Sequence, residues 1–207
     1  MLQYGLDPSH PLSEKLSRAE NAALIQAAQT VAVPGGARTL QLMRPWFAAI
    51  TLSVAPLLKA GLDPGNGVDK LLKAQMLQAG KPVNGLETSE QQIRFLADLP
   101  PAVELAFLRS TLRDVGKDSA ELTTLIDAWK AGDTTAIARI EDADLRQSEP
   151  HLYQLLLVER NQVWAKKIAS MLQQPGTVFI AVGAAHLAGP DSVQEQLRKL
   201  GIAAVRE

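Results

Sequence analysis

The segment Thr177-Val178-Phe179-Ile180-Ala181-Val182-Gly183 constrains the fold of this chain most. It is short, apolar and rich in β-branched residues, and Pro175-Gly176 separates it from a long helical stretch. Such a run reads as a strand buried on both faces. From Asp191 to Leu200 a helix places Val193, Leu197 and Leu200 at i, i+4 and i+7, and Gly201 caps it. Ile202-Ala203-Ala204-Val205 then reads as a last strand. A strand–helix–strand order makes a parallel pair. Pro82 to Glu87 reads as a further short strand behind a helix. The expected fold class is therefore α/β and helix-rich. It has a small parallel-type sheet, a C-terminal strand–helix–strand unit and a large helical insertion over residues 100–146.

The rest reads as helix. Ser13 to about Thr30 forms one, ended by Pro34-Gly35-Gly36. Thr39 to Lys59 is apolar and mostly helical, with Pro45 and Pro56 limiting its hydrogen-bond ladder and with the cluster Met43-Arg44-Pro45-Trp46-Phe47 inside it. Trp46 and Phe47 read as core. Val68 to Ala79 is a helix closed by Gly80, and Thr88 with Gln91 has capping-box spacing for the next. Two or three helices fill Ala102 to Arg146, with joints near Gly116 and Gly132-Asp133. Pro150 opens a long one from His151 to about Gln173. The opening Met1 to Pro8 resembles the tail of a strand running into a loop. The 207 residues read as a single domain.

Composition excludes several classes of function. A formal net charge of −1 leaves no electrostatic footprint for nucleic acid or an acidic membrane surface. The absence of cysteine removes disulfides, thiolate metal sites, iron–sulfur clusters and a cysteine nucleophile. It suits cytoplasm and periplasm equally. No apolar run is long enough to cross a membrane, and the first ten residues lack the pattern of a signal peptide.

Ligands of open parallel sheets bind beyond the carboxyl ends of the strands. That rule selects Glu87 and the segment Gly183-Ala184-Ala185-His186. His186 would project above the sheet edge, near the free N–H groups of the following helix start. A loop histidine without chemistry, or an acidic residue serving only as a cap, is the plain alternative for each. Plotted at 100° per residue, the long helix places Tyr153, Leu156, Leu157, Trp164, Ile168 and Met171 on one stripe. Arg160 falls inside this stripe, Asn161 on its margin, and Glu159 points away. An arginine within an apolar face needs acceptors, and Glu87 is a suitable partner. The alternative is an arginine whose stem packs while its head reaches water. His10 lies in the ragged opening segment, and His151, at a helix start off the stripe, reads as a surface residue.

Three groups of residues then carry a family resemblance: Leu152-Tyr153 with Leu156 to Trp164, Val182-Gly183-Ala184-Ala185-His186-Leu187-Ala188-Gly189, and Leu197 to Gly201 with Val205. They resemble the TraB/GumN family, to whose wider group Tiki-type proteases and PrgY-like proteins belong. Met43-Arg44-Pro45-Trp46, Gly67-Val68-Asp69 and Gly80 to Thr88 fit the family's middle region. The resemblance implies a hydrolase-like site with a divalent metal ion, held by two Gly-x-x-His motifs and an acidic residue and flanked by an Arg-Asn pair. His186 matches the second Gly-x-x-His, Glu87 the acidic position, and Arg160 and Asn161 the pair. His186 and Glu87 are thus the implied metal ligands, and all four residues the implied catalytic set.

The first Gly-x-x-His has no match, since Gly5 and His10 are five residues apart. The opening is thus expected to be that of a family member joined midway. An edge of the sheet left open in this way would be covered by a homodimer. Two functions follow as expectations. One is metal-dependent hydrolysis of a peptide or ester bond, linked to exopolysaccharide or cell-envelope processes. The other is a non-catalytic remnant that binds a ligand or partner. The resemblance also brings export, as is common among bacterial relatives.

Overall fold

The computed structural model describes residues 1–115 and 119–206. The joint expected near Gly116 lies outside them. The chain divides into two compact units, Met1–Leu71 with Glu87–Lys117 and Leu72–Leu86 with Asp118–Glu207.

The first unit is helical. Its elements are α1 (Leu2–Gly5), α2 (Leu12–Lys15), α3 (Arg18–Thr30), α4 (Gly36–Gln41), α5 (Pro45–Lys59), α7 (Ser89–Ala97) and α8 (Pro101–Asp114), while α6 (Val68–Gln78) contains the boundary. The helix expected from Ser13 is broken at Leu16, which is extended, because Ser17 starts a new one. Its hydroxyl accepts from the Glu20 N–H, and Glu20 accepts from the Ser17 N–H at 2.7 Å. This reciprocal cap satisfies two orphan donors. Thr88 and Gln91 cap α7 in the same way. Pro45 stands at the start of α5, where a missing N–H costs nothing. Leu24, Leu40, Leu52 and Leu108 are fully buried in the core of this unit, and Trp46 is fully buried as well.

The opening segment is docked rather than ragged. After the single turn of α1, Leu6 forms an isolated antiparallel bridge with Met43. The Arg44 N–H donates to the Gly5 carbonyl at 2.8 Å, and the Asp7 N–H to that of Leu42 at 2.9 Å. Gly5 is required by close approach, since a Cβ there would stand 2.4 Å from Cδ1 of Phe47.

Arg109 of α8 donates to Glu20 at 2.6 Å, which ties α8 to the cap of α3. The Arg109 hydrogen bond, helped by those of Ser17, lowers the Glu20 carboxyl from 4.5 to about 2. A depressed carboxylate stabilises the folded state above its unfolded value and loses that contribution as pH falls through the folded value. Stability of the wild type in urea should therefore drop as pH goes from 4.5 towards about 2. Glu20→Gln should be less stable at neutral pH and flatter across this window. Parallel curves for the two proteins would refute the linkage.

The second unit contains α9 (Ser119–Ala131), α10 (Thr134–Ile137), a π-helical turn (Ala138–Asp142), α11 (Ala143–Ser148), α12 (Pro150–Tyr153), a second π-helical turn (Gln154–Val158), α13 (Glu159–Met171), a 3-10 turn (Ala184–Leu187) and α14 (Val193–Lys199). Trp164, Ala165 and Ile168 of α13 pack with Val193 and Leu197 of α14.

The expected α/β fold with a small parallel sheet is corrected here: no strand or sheet occurs among the described residues. The segments 82–86, 177–182 and 202–205 still deliver apolar side chains to one place. Leu86, Ile180, Val182 and Ile202 all pack on the α13–α14 cluster. Ile180 and Val182 alternate with outward residues, and Phe179 is 76% exposed. The pattern thus specifies which side chains turn inward. A strand, however, also needs a partner backbone for its ladder, and among the described residues no ladder joins these segments. The Leu86 carbonyl instead accepts from Nζ of Lys167 at 2.5 Å.

Candidate functional site

The second unit brings together Arg160, Asn161 and His186 of the expected set. His186 lies in the 3-10 turn after Gly183, and its N–H donates to the Gly183 carbonyl at 3.0 Å. The turn tucks the ring inward rather than above a sheet edge, so the residue is 8% exposed. Nδ1 is 2.6 Å from Oδ1 of Asn161, and the ring centroid is 4.3 Å from that of Trp164.

Asn161 is 1% exposed. Its Nδ2 donates to the backbone carbonyl of Asp191 at 2.8 Å. That carbonyl can only accept, so the amide orientation is determined, and Oδ1 faces His186. An amide oxygen can also only accept. Nδ1 of His186 is therefore the donor in this contact. Asp191 is held a second time, through its carboxylate, by the hydroxyl of Tyr153 at 3.1 Å. Arg160 stacks on the other partner: its guanidinium carbon is 4.9 Å from the Trp164 ring centroid, and Nη1 donates to the Leu156 carbonyl at 3.1 Å. It is half-buried, and the cation–π contact and the backbone acceptor are two of the contacts that hold this arginine on an apolar face.

Glu87 belongs to the first unit, immediately before the Thr88 cap of α7. Among the described residues, no three His, Cys, Asp or Glu side chains group closely enough to hold a metal ion. His10 pairs with Asp7 at the surface, and His151 is exposed at the start of α12. Sequence reasoning did not single out Asp191, Tyr153 or Trp164 as partners of His186. Tyr153 and Trp164 were visible only as apolar-stripe residues. The signal available for Asp191 was its place after Gly189-Pro190, in the turn that starts α14.

The TraB/PrgY/gumN family model matches residues 1–206, and the chain belongs to that family. YbaP of Escherichia coli K12, an uncharacterized protein, is 32% identical over 154 residues, covering 74% of this chain and 56% of YbaP. An uncharacterized protein of Treponema pallidum is 24% identical over 173 residues, covering 78% of this chain and 51% of its own length. The chain thus spans about half the length of these curated relatives. No solved structure matches it.

Proposed function

We propose that this chain carries part of a metal-assisted hydrolytic site for a peptide or ester bond, with His186 as a ligand. The observation that supports this most is the 2.6 Å contact between Nδ1 and Asn161. A metal-ligating histidine characteristically donates its other ring N–H to a carbonyl-type oxygen, which orients the ring and raises its basicity. The donor chemistry of His186 therefore fits a divalent ion. A structural or catalytic ion takes three or more protein ligands, of which His186 would be one. A divalent ion bound there would polarise the scissile carbonyl. Arg160 would face negative charge developing on the substrate, with its orientation held by Trp164.

The test is calorimetric titration of the purified chain with Zn²⁺ or Mn²⁺. Wild type should bind one ion, and His186→Ala should weaken binding by roughly tenfold to a hundredfold, the range for lost metal-site contacts. Indistinguishable isotherms would sink the proposal. They would favour a second reading, a non-catalytic binding module.

A further inference from the structure

We propose that the second unit associates with a second copy of itself through the exposed faces of the segments 82–86, 177–182 and 202–205. This goes beyond the reading of His186 and does not rest on it. The segments use their half-buried residues, Leu86, Ile180, Val182 and Ile202, to pack on the α13–α14 cluster. The side chains they show to solvent include Val83 at 38%, Phe179 at 76% and Val205 at 87% exposure. Apolar segments that cover a core on one side and present a phenylalanine and two valines on the other leave hydrophobic surface in water. Such surface belongs to an interaction site.

Two observations select a second copy as the occupant. The first is charge. The exposed positions Val83, Gly85, Phe179, Ala181, Ala203 and Val205 carry none. A partner recognised by charge, such as an acidic peptide or an anionic lipid surface, finds no counter-charge on them, whereas two identical uncharged faces meet without repulsion. The second is shape. Each segment sets one large exposed side chain two residues from a small one: Val83 with Gly85, Phe179 with Ala181, and Val205 with Ala203. Packed faces interdigitate by placing large residues against small ones. A face that carries both kinds side by side is complementary to itself about a two-fold axis, where residue i meets j and j meets i. Phe179 of each copy then lies over Ala181 of the other. This differs from the edge pairing expected from the sequence. An edge pairs through a backbone ladder, and faces pair through side chains.

Sedimentation velocity of the full chain across the micromolar range tests the proposal. The wild type should pass from monomer to dimer as concentration rises. Phe179→Lys should weaken dimerisation by roughly tenfold or more, the scale for losing an aromatic anchor of an interface, with unchanged far-ultraviolet circular dichroism. Leu58→Lys, at a leucine of α5 that is 51% exposed, should dimerise as the wild type does. The chain has no cysteine, so a single introduced one reports proximity. Ala181→Cys, which keeps Phe179, should be linked into a dimer by a short bis-maleimide much faster than Leu58→Cys at the same concentration. This second pair decides the matter even if Phe179→Lys fails to fold. A wild type that stays monomeric throughout overturns the proposal and leaves the face to another occupant. A dimer that Phe179→Lys leaves intact overturns it as well, and so does equal linking of the two cysteine variants.

Discussion

Trp164→Ala is expected to cost the second unit about 3–5 kcal/mol, the range for truncating a buried aromatic to alanine. Trp164 is 4% exposed and lies at the centre of the α13–α14 cluster. Its ring also has two polar neighbours, the Arg160 guanidinium at 4.9 Å and the His186 ring at 4.3 Å. The cavity would therefore remove packing and at the same time leave a half-buried cation and an imidazole without the aromatic face between them. Trp164→Phe should lose clearly less, because a six-membered ring still covers His186. Urea unfolding followed by far-ultraviolet circular dichroism measures both. A loss below about 1 kcal/mol for the alanine variant would show that Trp164 is not the keystone of this cluster.

The second large effect is expected at Glu104. Its side chain is 4% exposed, forms an ion pair with Arg44, and has an Oε2 atom that is buried without a hydrogen-bond partner among the described residues. Arg44 also donates to the carbonyls of Tyr4 at 3.2 Å and Ala97 at 2.8 Å, which joins α1, α5 and α7 at one point. Removing one partner of a buried pair costs about 3–5 kcal/mol, because the other charge is left uncompensated. Arg44 is 27% exposed, so Glu104→Ala should fall at the lower end of that range. Glu104→Gln keeps an acceptor for the guanidinium and should lose less. Equal losses for the two variants in urea would mean that volume rather than the polar contact matters here.

Glu104 also shows where sequence reading stops. It sits in a helix with no motif around it, and nothing local distinguishes a buried glutamate from a solvated one. The start of α7 was legible because its cause is local, Thr88 with Gln91 acting over three residues, whereas the expected helix from Thr39 to Lys59 divides before Pro45, which opens α5, and runs unbroken through Pro56. The apolar alternation of Ile180 and Val182 was legible for the same reason. Whether such a segment becomes a strand depends on a second backbone distant in the chain, and pattern alone carries no information about that. The neighbourhood of His186 was half legible. Arg160 and Asn161 stand in a recognisable pair, while Asp191 contributes a backbone carbonyl, an atom every residue has.

The π-helical turn at Gln154–Val158 has a further consequence for that neighbourhood. A turn closed i to i+5 holds one residue more than an α-turn, so the chain on either side is counted in different phase. An unbroken wheel puts Leu156 and Arg160 in the stripe. In the structure the buried positions are Leu157, Val158 and Asn161, with Leu156 and Arg160 only half-buried. The identity of the side chain offered to His186 is therefore set by a count of residues as well as by their kinds. Length, in this one turn, acts as a selector between an amide and a guanidinium.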